Sequence, residues 1–263
     1  MSKQQPLIKV QQLNKSFTLP KQFFFERRKL LHVLKNINLT IEKGETLGLV
    51  GESGSGKSTL GECIGGLQSS PPETIFYDGK PLETLNRDEF KKYRRNVQFV
   101  FQDPYDTLNP RLTIEEILLE PMNSQKIFST KKERIDRAKE LMNDVGLSPS
   151  FLKSYPRHLS GGQCQRVAIA RALSVQPSLL ICDEAVSALD LSVQATILNL
   201  LMDLQEKYNI SNLFISHDLQ VVQYISDRVI VMCQGELVET GYVTDIFQHP
   251  KHDYTRSLID SAL

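Results

Sequence analysis

Nine consecutive residues, Gly51-Glu52-Ser53-Gly54-Ser55-Gly56-Lys57-Ser58-Thr59, satisfy the spacing G-x-x-x-x-G-K-[ST]. Glycines in this pattern let backbone N–H groups turn inward around phosphate oxygens. The lysine adds a point charge for the β- and γ-phosphates, and the Ser58 hydroxyl is the kind of oxygen that binds Mg2+. The chemistry implied is binding of a nucleoside triphosphate. About a hundred residues later, Leu159-Ser160-Gly161-Gly162-Gln163 forms a glycine-containing turn that opens onto a helical pattern. A helix N-terminus leaves backbone donors without intrahelical partners, so Ser160, Gly161, Gly162 and Gln163 offer a second anion-facing surface.

Further polar groups stand at the ends of apolar runs. Asp183 and Glu184 follow Leu179-Leu180-Ile181-Cys182, His217 follows Asn212-Leu213-Phe214-Ile215-Ser216, and Gln102 follows Val97-Gln98-Phe99-Val100-Phe101. In open parallel sheets, ligands collect beyond the C-terminal ends of strands. Two adjacent acids at such a place permit a division of labour. Asp183 can hold Mg2+ through its water shell, while Glu184 orients and deprotonates the water that attacks the γ-phosphate. His217 is suited to a hydrogen bond with the γ-phosphate or that water, and the amide oxygen of Gln102 to Mg2+ or water. The plainer reading of the two acids, an exposed acidic turn, is weakened by the phosphate loop upstream, while a structural histidine and a surface loop amide stay open as readings of His217 and Gln102.

The elements that must position these groups follow from hydrophobic period. Leu7 to Leu13 and Val33 to Ile41 alternate as an antiparallel strand pair, and Thr46 to Val50 is an apolar strand feeding the phosphate loop. A helix follows from Ser58 to Leu67, giving the strand, loop and helix that the motif requires. Thr113 and Glu116 form a capping-box pattern ahead of helical spacing that runs to about Gly146. Helices over Gln165 to Leu173 and Val193 to Tyr208 alternate with the strands ending at Asp183 and Ser216, which implies a mostly parallel sheet. Val229 to Met232 and Glu236 to Glu239 flank Gln234-Gly235 as a hairpin. The fold class expected is α/β, with an antiparallel β subdomain and an inserted α-helical subdomain. One domain is expected over 1–263: β subdomain and phosphate-loop core over 1–101, helical subdomain over 102–158, second core part over 159–235, and a C-terminal tail over 236–263.

Composition narrows the function. Lys+Arg 31 balance Asp+Glu 31, so no general attraction to nucleic acid is expected. The apolar runs stop far short of the roughly 20 residues that span a bilayer, and Met1 to Pro6 lack the apolar core of a signal peptide. A cytosolic chain is expected. Cys63, Cys164, Cys182 and Cys233 show no C-x-x-C spacing and are read as reduced, packed thiols. Phe23 to Lys29 sets an aromatic cluster beside a basic one, read as a partly packed loop.

In order and spacing, Gly51 to Thr59, Gln102, Leu159 to Gln163, Asp183-Glu184 and His217 resemble the ATP-binding subunits of ABC transporters. The resemblance implies a P-loop NTPase (RecA-like) core with ATP and Mg2+ as cofactors. It makes Gln102 the Q-loop, Ser160 to Gln163 the signature, Glu184 the catalytic base, His217 the switch histidine and Asp190 the D-loop acid crossing to a second subunit. Ser58, Gln102 and Asp183 are the implied Mg2+ ligands, and Phe17 stands where the family places an aromatic on adenine. Phe101 to Tyr105, Leu108 to Arg111 and His249-Pro250 with Tyr254-Thr255-Arg256 are similar to the peptide and nickel importer branch. Ala185, Cys164 and Asp253 depart from its usual proline, arginine and proline.

The function implied is ATP hydrolysis that energises import of a peptide, nickel or metal chelate. The partners implied are integral membrane permease subunits, a second ATP-binding subunit in head-to-tail contact and, indirectly, an extracytoplasmic solute-binding protein. The place implied is the cytoplasmic face of the cell membrane, peripherally bound. The competing readings are a soluble relative acting on DNA or ribosomes, and a stand-alone P-loop kinase. No heptads fill the roughly hundred residues between Thr59 and Ser160, unlike the long coiled coils of chromosome ATPases. The chain carries one cassette where ribosome-acting relatives carry two, and a kinase leaves the signature unexplained.

Overall fold

The structure, a computed structural model, describes residues 5–18 and 30–261. The cluster Phe23 to Lys29 lies outside the described residues. In chain order the elements open with strands β1 (Ile8–Thr18), β2 (Leu30–Ile41) and β3 (Thr46–Val50), helix α1 (Lys57–Ile64), short strands β4 (Ile75–Tyr77) and β5 (Lys80–Pro81), and helix α2 (Arg87–Asn96). Next come β6 (Val97–Val100), α3 (Pro104–Thr107), α4 (Ile114–Ser124), α5 (Lys131–Asp144), α6 (Gly161–Leu173) and β7 (Leu179–Asp183). The remainder is α7 (Leu191–Tyr208), β8 (Ser211–Ile215), α8 (Leu219–Ile225), β9 (Arg228–Cys233), β10 (Glu236–Tyr242), α9 (Val243–Gln248) and α10 (Asp253–Asp260). These elements form two compact units. One holds the described residues through Lys91 and from Leu213 onward, the other Lys92–Asn212.

The first unit carries two sheets. β1 pairs antiparallel with β2, from Ile8 opposite Ile41 to Phe17 opposite Leu31, with register shifts between Val10 and Ser16. On the other side of β1 lies β4, giving the order β2-β1-β4-β5. Ile8, Val10 and Leu13 are buried on β1 while Lys9 and Gln11 are exposed, the alternation of a sheet with one covered face. In the second sheet, β3 runs parallel to β9, Leu47 opposite Arg228 and Val50 opposite Val231, and β10 returns antiparallel to β9. The predicted hairpin is therefore present. β3 is buried at every position, as a strand covered on both faces must be. Thr46, its polar first residue, donates its N–H to Asp227 Oδ2 at 2.8 Å.

The second unit joins a parallel strand pair to the helical region. β6 and β7 align from Val97 opposite Leu179 to Val100 opposite Cys182. The expected run from Thr113 to Gly146 is two helices, each opened by a capping box, Thr113 with Glu116 and Thr130 with Glu133. The second ends where Gly146 takes φ 69° and Leu147 N–H returns to Met142 O at 2.8 Å, a left-handed helix stop. α6 is buried nearly all round, through Cys164, Gln165, Val167, Ala168, Ile169 and Ala170. It is the central helix of this unit.

Candidate functional site

In the first unit, β3 delivers the chain at Val50 into the glycine loop and α1 receives it. Gly51 has φ 151°, and a Cβ there would lie 2.1 Å from Met232 O on the neighbouring strand, so no side chain fits. α1 has Gly56 at its N-cap, with no side-chain cap and no acidic residue in its first turn. The positive dipole end of α1 is thus not offset by an acid or side-chain cap of its own helix. Among the described residues, the amides of Ser53, Gly54 and Gly56 have no protein acceptor, and the buried Ser55 Oγ has no partner. Such a concavity of inward donors fits phosphate. Lys57, only 5% exposed, donates to Gly51 O at 2.7 Å and Glu52 O at 2.8 Å. The lysine thereby holds the loop to its own curve. The loop is also held from β9 and β10, where Gly235 N–H donates to Ser55 O at 2.9 Å.

His217 joins this group through the backbone. Ser216 N–H donates to Leu49 O at 3.2 Å, which brings the tip of β8 beside the strand that enters the loop, with His217 exposed. Asp218 is committed to α8, accepting from Gln220 N at 2.9 Å and Val221 N at 3.3 Å. Ser58 and Glu52 are exposed and Thr59 is half-buried. Phe17 is half-buried in the other sheet of this unit, with the Lys15 ammonium 5.3 Å from its ring centroid.

The second unit gathers the remaining predicted residues in two places. The β6–β7 register carries exposed Gln102 to the same sheet end as Asp183 and Glu184. Glu184 has φ 49°, a left-handed backbone that costs free energy in a residue with a Cβ. Its carbonyl closes the following turn, accepting from Ser187 N at 3.1 Å and Ser187 Oγ at 3.0 Å. Asp190 is the N-cap residue of α7 but makes no capping bond, so its exposed carboxylate is not used by its own helix.

The signature differs in one respect from an open helix end. Ser160 Oγ accepts from Gln163 N at 3.3 Å, and Gln163 Oε1 accepts from Ser160 N at 2.9 Å. This capping box satisfies two donors internally, leaving the amides of Gly161 and Gly162 without a protein acceptor among the described residues. A Cβ on Gly162 would meet Val193 Cγ1 at 2.5 Å, so glycine there also lets α6 approach α7.

Positioning residues that the sequence did not single out tie these places together. Tyr105 Oη donates to Leu159 O at 3.0 Å, and Gln165 Nε2 donates to Phe101 O at 3.2 Å. The Gln102 segment is thus fastened to the signature turn at both ends. Tyr105 is marked in the sequence by the branch-like run Phe101 to Tyr105 and by its place two residues past a capping Asp103 that accepts its N–H at 2.8 Å, but not by this contact. Three of the four cysteines stay out of the chemistry. Cys63, Cys164 and Cys182 are buried, and burial pushes the Cys63 thiol up to about 11 and that of Cys182 up to about 12, too high for a thiolate at neutral pH.

A model of the ABC transporter family matches residues 34–187, more than half of the chain and the span that holds the loop, Gln102, the signature and both acids. The chain belongs to the ABC transporter family. Among its relatives, the oligopeptide transport ATP-binding protein OppF of Escherichia coli (strain K12) is 46% identical over 242 residues, 92% of this chain and 72% of that protein. The oligopeptide transport ATP-binding protein AppF of Bacillus subtilis (strain 168) is 42% identical over 260 residues, 98% of this chain and 79% of that one. The dimer of the ATP-binding cassette MJ0796, in a post-hydrolysis state bound to ADP and Pi, superimposes with a TM-score of 0.77 at 33% identity, over 90% of this chain and 98% of that one. The fold is therefore that of an ABC ATPase cassette. This ABC protein is an ATP-binding, ATP-hydrolysing transporter subunit, and these relatives give no counterpart for a role on DNA or ribosomes. No described helix is long and apolar enough to cross a membrane.

Proposed function

We propose that this subunit energises import of oligopeptides through separate integral membrane permease subunits. It works at the cytoplasmic face of the cell membrane, paired head to tail with a second ATP-binding subunit and fed by an extracytoplasmic solute-binding protein. Relatives named as oligopeptide transport subunits, 42–46% identical over nearly the whole chain, carry this choice over nickel or a metal chelate. The helical subdomain over 102–158 is the part assigned to the permease, because Gln102 stands at its entrance.

In this reading the phosphate loop receives the ATP phosphates on its inward amides, and the Lys57 ammonium turns from its own loop carbonyls to the β- and γ-phosphates. Phe17 stacks on the adenine. Glu184 accepts a proton from the attacking water and fixes its direction, while His217 hydrogen-bonds the γ-phosphate. Ser160 and the Gly161 and Gly162 amides stabilise the γ-phosphate of the partner's ATP, with Asp190 reaching across the pair and Gln163 bracing the turn. Mg2+ suits Ser58, Gln102 and Asp183, a hydroxyl, an amide oxygen and one carboxylate, because this hard ion is held by few carboxylates and by substrate phosphates. Among the described residues no group of three or more His, Cys, Asp or Glu offers an all-protein metal site. When bound, the ion neutralises charge on the β- and γ-phosphate oxygens.

The test is reconstitution with candidate permease subunits and a peptide-binding protein. Peptide-loaded binding protein is expected to stimulate ATP hydrolysis and peptide uptake. Stimulation by nickel or a chelate alone would move the cargo elsewhere, and failure to associate with any membrane protein would remove the transport role.

A further inference from the structure

The segment after β10 has no part in the chemistry above, yet it is built onto the first unit and reaches the phosphate loop. Glu239 on β10 accepts the backbone N–H of Lys251 at 2.8 Å through Oε1 and that of His252 at 3.0 Å through Oε2. Arg256 stiffens the same turn, Nε donating to Pro250 O at 3.2 Å and Nη2 to Lys251 O at 2.6 Å. His252 Nδ1 accepts from Tyr254 N at 3.1 Å and opens α10, which buries Thr255 and Ile259. This docking aims Tyr254 at the loop. Its Oη accepts the N–H of Glu52 at 3.2 Å.

One peptide unit away, Glu52 O accepts the Lys57 ammonium. Glu52 is thus held on one side by the C-terminal segment and on the other by the lysine that must move to ATP. We infer that Tyr254 is a positioning residue of the phosphate loop, through which docking of the C-terminal segment and binding of ATP are coupled. The coupling is reciprocal, since a contact that favours the binding-competent loop is itself favoured when ATP fills it. The inference rests on the reading of Gly51 to Thr59 as the ATP-binding loop.

The experiment compares wild type with Tyr254→Phe, which keeps the ring and removes the hydroxyl. ATP affinity is measured by titration, and turnover by steady-state kinetics in the assembled transporter. Backbone hydrogen exchange over residues 250–260 is followed with and without a non-hydrolysable ATP analogue. The variant is expected to bind ATP about three- to tenfold more weakly, the scale of one hydrogen bond, with KM raised and saturated kcat little changed. In wild type the analogue slows exchange over 250–260, and in the variant that slowing is lost. Glu239→Ala, which releases the segment at its far end, is expected to weaken ATP in the same way, and serves if Tyr254→Phe fails to fold. Unchanged affinity and unchanged protection in a folded variant overturn the inference alone. A wild-type chain that binds no ATP overturns the reading of the loop as well.

Discussion

Glu184 combines a carboxylate at a strand tip with a backbone at φ 49°, and the turn that imposes this shape is closed by its own carbonyl on Ser187. A change confined to the carboxylate should therefore isolate chemistry from folding. Glu184→Gln is expected to keep ATP affinity and lose roughly 10²–10⁴-fold in turnover, the scale of a general base. Unchanged turnover in a single-turnover assay would dismiss Glu184 from that role. Lys57→Ala differs in kind, because Lys57 is buried and donates to two loop carbonyls. Nucleotide titration should show ATP binding lost, and thermal melting without nucleotide should show a less stable loop. At this scale residue types were readable because loop, acids and histidine obey fixed spacings. The left-handed Glu184 was not, since neither glycine nor asparagine marks it.

In the signature, one element caps its own helix and is proposed for a second purpose. Ser160 caps α6 and is also assigned to the partner's ATP, so Ser160→Ala confounds the two by losing about 1 kcal/mol of cap along with any phosphate contact. Ser160→Asp separates them: aspartate caps as well as serine but repels phosphate. Near-wild-type melting with abolished turnover is the expected result, and retained turnover would confine Ser160 to capping. A second junction joins α5 to α7, where Lys207 donates to Asp144 Oδ1 at 2.6 Å and Tyr208 Oη to Asp144 Oδ2. Burial alone would push the Asp144 carboxyl up, but the Lys207 and Tyr208 donors outweigh it and hold it below its ordinary value. Its contribution is present above the unfolded value of about 3.9 and is lost as pH falls through the lower folded one. Asp144→Asn should melt lower than wild type at neutral pH, with the gap closing below about pH 4. A gap independent of pH would mean that the ion pair contributes nothing. Strands and long helices were legible because β3, β7 and β8 each centre on a run of apolar residues and α5 has a helical period. β4 and β5, three and two residues long, are too short to show any period. The docking of α10 depends on Glu239, Tyr254 and Glu52, which are far apart in the chain.

At the scale of the whole molecule, the chain carries two anion-facing surfaces that the proposed function assigns to different ATP sites. Among the described residues, the phosphate loop offers amides and a lysine, and the signature turn two glycine amides left after its own cap is satisfied. If a cassette's loop works against its partner's signature, hydrolysis is second order in subunit at low concentration, and the rate per subunit rises with concentration until pairing saturates. Glu184→Gln, binding ATP without consuming it, should then hold the pair together and show dimer mass in light scattering with ATP, reverting to monomer when ATP is withdrawn. Mixing Glu184→Gln with Ser160→Asp offers a sharper arm. Each variant is inactive paired with itself, but in the mixed pair the intact loop and Glu184 of the Ser160→Asp chain face the intact signature of the Glu184→Gln chain, so activity should reappear. A rate per subunit independent of concentration, with no activity regained in the mixture, would mean that each cassette completes its own site.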